Sequence, residues 1–341
     1  MRALLLVNIA SSRDRDRVAV LTSVSGDEAR AVALRFNLGT VLSLDGLAAG
    51  SVNSNFQLKT NRGTFFLRLY EEQSLDGAHR DVALVNFLSQ VAVVTPAPLV
   101  STAGERLVVI SGKPAVLFPW VPGTMRCQAS VTTHEVRAVG RALAQIHRAG
   151  ESAPVGSISA GRFRPEDLFQ RIDRIERAND ARFVSEVPGL RKSLELAVAG
   201  RDTKLTQGLT HGDLFRDNVL WSAQGEIAAL LDFESAARGP FVFDLMVTAL
   251  AWCTGNVLDE SLASALVRGY TEVRPLSDQE RAAMLSEGSL AALRFTITRI
   301  TDFAMRADSE GPRVVKEWKR FWFRYLSLQA LGQDAIAAWG T

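Results

Sequence analysis

A carboxylate at Asp213, a carboxamide at Asn218 and a second carboxylate at Asp232 are the residues of this chain whose types and spacing could do chemistry. The first two lie in His211-Gly212-Asp213-Leu214-Phe215-Arg216-Asp217-Asn218, and the third opens Asp232-Phe233-Glu234 fourteen residues later. Moving a γ-phosphoryl group from ATP to a hydroxyl needs a carboxylate beside the incoming oxygen and oxygen ligands that hold Mg²⁺ against the phosphates. Positioning and electrostatics supply most of the rest. Asp213 is therefore expected to act on the acceptor hydroxyl, with Asn218 and Asp232 as metal ligands. Any one of these residues alone reads as a loop cap; the set, with His211 two positions ahead of Asp213, carries the reading.

The Asp-to-Asn step equals that of the protein-kinase catalytic loop, which is likewise followed by D-F-G. Here Gly212 stands where that loop has Arg, and Glu234 where it has Gly, which points away from protein kinases. Ile227-Ala228-Ala229-Leu230-Leu231 reads as a short buried strand that projects Asp232. The Gln224-Gly225 turn before it would let Asn218 and Asp232 face each other across a hairpin. His211 is expected to hold the loop backbone rather than move protons. Asp244 starts or caps the next helix.

The elements that must position these residues follow from periodicity. Ser25-Gly26-Asp27-Glu28 opens a helix with Ala29, Val32, Ala33 and Phe36 on one face. From about 40 the period becomes two, predicting strands at 41–48, 53–60, 64–70, 106–110 and 114–118, with one helix at 79–91. Phe118-Pro119-Trp120-Val121-Pro122-Gly123 breaks the pattern and suits a hinge where an adenine ring could bond to backbone and stack on Phe118 and Trp120. Thr132-x-x-Glu135 is a capping box opening a helix through His147, which reads as a packed helix-end histidine. Further helices are expected at about 241–255, 259–271, 278–305 and 313–335. The domain reading is an extension over 1–17 outside the folded unit, an N-lobe over 18–118, a hinge at 119–123 and a C-lobe over 124–341. The fold class is α+β, an antiparallel sheet with a helix followed by a larger, mainly helical lobe.

Two further features concern the nucleotide. Small residues in Ala48-Ala49-Gly50-Ser51-Val52-Asn53-Ser54-Asn55 would let backbone N–H groups approach phosphates, with the Ser51 and Ser54 hydroxyls assisting, although a generic hairpin has the same composition. Alternation in Phe65-Phe66-Leu67-Arg68-Leu69-Tyr70 puts Arg68 where a phosphate-pairing cation belongs, or else on an exposed strand face. Composition excludes other classes. The formal charge is +2, with no basic block for nucleic acid. No apolar run approaches the ~18 to 20 residues of a membrane span. Two cysteines, Cys127 and Cys253, give no disulfide framework or zinc cluster and fit a reducing cytoplasm. A small-molecule substrate, and a monomer or homodimer, are expected.

The H-G-D loop resembles the aminoglycoside phosphotransferase and choline kinase group. Within it, the stretches Leu47–Phe56, Leu69-Tyr70-Glu71, His211–Leu220, Asp244-Leu245 with Trp252-Cys253, Val273–Ser277, and Ala292–Phe295 with Thr298-Arg299 are similar to the bacterial type II homoserine kinases, from about Val18 to 330. The resemblance implies a bilobal kinase-like fold and MgATP-dependent phosphorylation of the L-homoserine hydroxyl, a step toward threonine. It implies Asp213 as base, Asn218 and Asp232 as metal ligands, Gly50, Ser51, Asn53, Ser54 and Asn55 as the phosphate loop, and Asp244 as the carboxylate that braces the catalytic loop. Departures fall at Gly212, where that family has Ala, at Glu234, where it has an aromatic, and at Leu250, where it has Asn. They bear on the acceptor, since a zwitterion needs a cation and an anion. Glu234 is a possible ligand for metal or ammonium; Arg294 and Arg299 could supply the cation, or Arg299 could pair with Asp302. Other hydroxyl acceptors (aminoglycosides, choline or ethanolamine, sugars) and a non-catalytic nucleotide-binding protein are the competing readings.

Overall fold

The computed structural model describes residues 21–47, 52–154, 156, 158–161, 163–305 and 316–341. The expected extension at 1–17, and Gly50 and Ser51 of the expected phosphate loop, lie outside the described residues. The chain divides into two units. One holds the described residues up to His79 with Pro98–Trp120; the other holds Arg80–Ala97 and the described residues from Val121 onward.

In the first unit, helix α1 (Gly26–Arg35) begins at a capping box in which Ser25 and Glu28 each satisfy the other's backbone N–H. Strands β1 (Val41–Gly46), β2 (Ser54–Thr60), β3 (Gly63–Leu69), β4 (Leu107–Ile110) and β5 (Lys113–Pro119) form one sheet in the order β1-β2-β3-β5-β4, every pairing antiparallel. Alternation fixes the faces. Phe56, Leu58, Leu67, Leu69, Ala115 and Leu117 turn inward and join Ala29, Val32, Ala33 and Phe36 of α1 in one core. Asn55, Arg68 and Val116 are register partners on the opposite face, next to Gln57, Phe66 and Phe118. Helix α2 (Leu75–Gln90) starts four residues earlier than the sequence pattern indicates, and from Arg80 onward it belongs to the second unit, whose core takes Leu84 and Leu88.

The second unit is mainly helical. Its helices are α3 (Thr133–Gly150), α4 (Pro165–Ala178), α5 (Val187–Ala199), α6 (Phe241–Trp252), α7 (Glu260–Thr271), α8 (Asp278–Ala282), α9 (Met284–Arg299) and α10 (Lys319–Ala337). α3 starts at the Thr132/Glu135 capping box, and α6, apolar nearly all round, is buried nearly all round. The single helix expected over 278–305 is instead α8, a break at Ala283, α9 and a π turn over Ile300–Ala304. Two short strand pairs frame the loop of interest: β6 (Gln207–Thr210) with β9 (Ala237–Pro240), and β7 (Val219–Trp221) with β8 (Ile227–Leu230). Among the described residues, no helix is long and apolar enough to cross a membrane.

Candidate active site

β6 delivers the chain to His211, and β9, paired with it, leads into the first turn of α6, where Asp244 is fully buried. The Asp244 carboxylate accepts from the backbone N–H of His211 at 2.6 Å and of Gly212 at 2.8 Å. Its Oδ2 also lies 3.1 Å from His147 Nε2, while His147 Nδ1 lies 2.7 Å from the Tyr270 hydroxyl. Burial alone would raise the Asp244 carboxyl, but the His147 contact and the backbone donors hold it below its usual range. Burial lowers His147 and His211. A neutral His147 then donates from Nε2 to Asp244 and accepts the Tyr270 proton at Nδ1. His211 likewise accepts from the Asp213 N–H at Nδ1 (3.3 Å) and donates from Nε2 to the Leu231 carbonyl (3.0 Å). His211 thus orients backbone and His147 orients the Asp244 carboxylate, and both are poorly placed to shuttle protons.

Gly212 has a φ of 75°, and a Cβ there would stand 2.6 Å from the Ser235 carbonyl oxygen, so this backbone admits only glycine without rearrangement. The next residue, Asp213, presents a partly buried carboxyl. Loss of hydration pushes it up to about 7; Arg294 and Lys316 oppose the shift, and Asp232 and Asp217 add to it. Asn218 donates its amide to the Asp213 carbonyl at 2.7 Å, which directs its Oδ1 away from that bond. The Leu231 N–H donates to the Asn218 carbonyl at 2.9 Å, so the β7/β8 ladder ends with Asn218 opposite Leu231 and Asp232 one residue beyond. Asp232 adopts a left-handed conformation (φ 63°, ψ 67°), costly for a side chain with Cβ and found where a surrounding structure imposes it. One carboxamide oxygen and one carboxylate make a hard-oxygen pair of the kind that suits Mg²⁺, which keeps several waters and takes the rest of its ligands from phosphates. Among the described residues there is no cluster of three His, Cys, Asp or Glu side chains that would hold a metal by protein alone.

In the first unit, Asn55, Arg68 and Phe118 share one sheet face. Arg68 Nε donates to Asn55 Oδ1 at 3.2 Å, and its guanidinium lies 5.6 Å from the Phe66 ring centroid. The Asn53 side-chain oxygen accepts from the Glu71 N–H at 3.2 Å, and the Trp120 N–H donates to the Thr64 carbonyl at 3.1 Å. Ser54 corrects the expectation that its hydroxyl assists phosphate binding. It is fully buried, bonds to Glu71 and accepts from the N–H groups of Leu21 and Thr22 at 2.8 and 3.0 Å, so it ties the chain before α1 to β2.

Arg294, 4% exposed, donates to the Gly212 carbonyl and has its guanidinium carbon 4.2 Å from the ring centroids of both Phe163 and Phe295. That makes it a brace of the catalytic loop. Arg299 does not pair with Asp302, which is bonded to Arg171; it donates to the Glu317 carbonyl at 2.9 Å and packs on Phe321. Glu234 lies half-buried in the turn after Asp232. In the sequence His147 reads as a packed helix-end histidine and Tyr270 carries no motif; their partners are far along the chain, so nothing local marks them.

The fold and this loop define a class of protein. The chain belongs to the phosphotransferase enzyme family, whose model matches residues 43–284. It acts on a hydroxyl acceptor with ATP as co-substrate. Its similarity is to homoserine kinases. One from Rhodopseudomonas palustris is 33% identical over 297 residues, covering 84% of this chain and 87% of that protein. Another from Neisseria meningitidis serogroup B is 32% identical over 291 residues, covering 84% and 92%. An amicoumacin kinase solved with AMP-PNP and Ca²⁺ shares the fold, with a TM-score of 0.66 at 16% identity over 89% of this chain and 91% of that one.

Proposed function

We propose that this chain transfers the γ-phosphoryl of MgATP to the side-chain hydroxyl of L-homoserine in the cytoplasm, on the route to threonine. The observation that carries the chemistry is Asp213 on a loop held by Asp244, with Asn218 and Asp232 brought to the end of one hairpin. The acceptor oxygen forms a bond to the γ-phosphorus as the bond to the bridging β–γ oxygen breaks, and the hydroxyl proton passes to the Asp213 carboxylate. A carboxyl poised near 7 is well matched to that proton. Asn218 Oδ1 and the Asp232 carboxylate would hold Mg²⁺, which supplies charge neutralisation on the phosphates when bound. Arg68 and Asn55 are assigned to the phosphates and Phe118 with Trp120 to the adenine.

The relatives support homoserine as acceptor. The test is ADP release and product mass from the purified protein with MgATP and, in separate reactions, L-homoserine, choline, ethanolamine, an aminoglycoside and a sugar. Phosphohomoserine formed at kcat/KM of ~10⁴ M⁻¹s⁻¹ or above is expected. Faster turnover of another acceptor would sink the homoserine assignment, and no turnover of any would sink the catalytic one.

A further inference from the structure

The end of α9 and the start of α10 bring Arg299, Arg320 and Arg324 together beside the Asp213 loop, where Asp213, Asp217 and Glu317 are the carboxylates that act on Arg299. Phe215 of that loop, Phe295 and Phe321 form an aromatic cluster, with centroid separations of 4.9, 4.7 and 5.8 Å. Two guanidiniums lie against its fully buried member: the Arg299 and Arg324 carbons are 4.5 and 4.3 Å from the Phe321 centroid. Arg320, four residues before Arg324, is exposed and sits on the same helix face. Arg324 makes no hydrogen bond or ion pair among the described residues, and neither does Arg320. Arg299 uses one nitrogen on the Glu317 carbonyl, and its buried Nε has no partner among the described residues.

Such an arrangement is costly for the empty protein. Like charges four apart on a helix repel, and contacts with a ring recover only part of what two guanidiniums lose in hydration. Burial followed by mutual repulsion pulls Arg324 down to about 9. Burial also takes Arg299 down to about 10, against the pull of Asp213 and with Arg320 adding to the fall. An anion docked between them would reverse that cost. Phe215 of the Asp213 loop stacks on the same Phe321 ring, and Asp213 is the strongest of the carboxylates acting on Arg299, so the pair lies beside that loop. Arg294 is excluded from the role because its head group is sandwiched between two rings and bonded to the loop.

We infer that Arg299 and Arg324, flanked by Arg320, form the subsite that takes the carboxylate of the acceptor. Resting on the proposed kinase reading, this narrows its substrates to hydroxylated carboxylates and excludes polycations and simple amino alcohols as preferred acceptors. A phosphate of the nucleotide would satisfy the same three cations, and the experiment separates the two anions.

The comparison is between L-homoserine and 3-amino-1-propanol, which is homoserine without its carboxylate, in the full-length protein and in Arg324→Gln and Arg324→Lys. Arg324→Gln is expected to lower kcat/KM for homoserine ~30-fold, mostly through KM, while changing 3-amino-1-propanol and the ATP KM less than ~threefold. Arg324→Lys should recover part of the loss. L-Homoserine should raise the melting temperature of the parent protein but not of Arg324→Gln, a readout that needs no turnover. Without ligand, Arg324→Gln should melt no lower than the parent, since it relieves repulsion. An equal loss on both acceptors, a raised ATP KM with homoserine unaffected, or a lower ligand-free melting temperature would each overturn the assignment. If the parent binds and phosphorylates a different hydroxy acid, the homoserine reading fails and this one stands. If it accepts only compounds without a carboxylate, this inference fails and the kinase reading stands.

Discussion

Asp213, the proposed base, shows how a carboxyl can be raised toward neutral pH at the expense of the fold. In an unfolded chain an aspartate titrates near 4, whereas here it is raised to about 7, so between those values the native state binds more protons than the unfolded state. Stability therefore falls as pH rises through that window, and the loss is complete above pH 7. Asp213→Asn should stabilise the ligand-free protein by about 2 kcal/mol at pH 8, with the gain shrinking toward zero near pH 4. Turnover should drop at least ~100-fold with little change in ATP affinity. Urea denaturation of both proteins at pH 4, 6 and 8, with steady-state kinetics, checks this; an asparagine variant that is less stable at pH 8, or as active as the parent, contradicts the assignment. Asp213, Asn218 and Asp232 stand out in the sequence as a candidate set because phosphoryl transfer demands particular residue types at short, fixed spacing. Arg294 was legible as a cation but not as a brace, because its partner, the Gly212 carbonyl, lies 82 residues away.

At the scale of elements, the brace on that loop depends on how closely two helices approach. α3 carries His147 and α7 carries Tyr270, and they cross at two glycines. A Cβ on Gly140 would meet the Leu266 carbonyl oxygen at 2.1 Å, and one on Gly269 would meet the Arg137 carbonyl oxygen at 2.0 Å. Both obstacles are backbone and cannot swing aside. Gly140→Ala should push the helices apart, cost on the order of 3 kcal/mol as an overpacked core does, and lengthen the 2.7 Å His147–Tyr270 contact. The expected signature is a fall in kcat beyond what unfolding explains, with the ATP KM little changed. Tyr270→Phe, which removes only the hydroxyl, should reproduce the kinetic defect at a smaller stability cost. A Gly140→Ala protein that melts like the parent would exclude a close crossing. This crossing was invisible in the sequence, since isolated glycines in helices have no local signature of their neighbours. α1, the five strands and α3 were legible because capping boxes and alternation are local patterns. Pro165 and Pro188 open α4 and α5, but a proline by itself marks a turn as readily as a helix start. The single long helix expected over 278–305 failed because periodicity continues across Ala283 while the backbone does not.

For the whole molecule, the two units have separate apolar cores that share no buried residue. The first contains Leu58, fully buried between sheet and α1; the second contains Trp221, Trp252, Trp318 and Trp339. Of the six tryptophans, only Trp120 belongs to the first unit, so intrinsic fluorescence reports mainly on the second. Chains with more than one core need not unfold in one step. Leu58→Ala should remove about 3 kcal/mol from the first core. Hydrogen exchange measured on peptides from 54–69 should then lose protection by roughly the corresponding factor of about 100. The midpoint of the tryptophan transition should stay where it is in the parent. Superimposable shifts in both probes would mean that the two cores melt as one cooperative body. In that case ligand binding at either unit would stabilise all of the chain, and ATP alone should raise the fluorescence midpoint as much as it raises protection in β2 and β3.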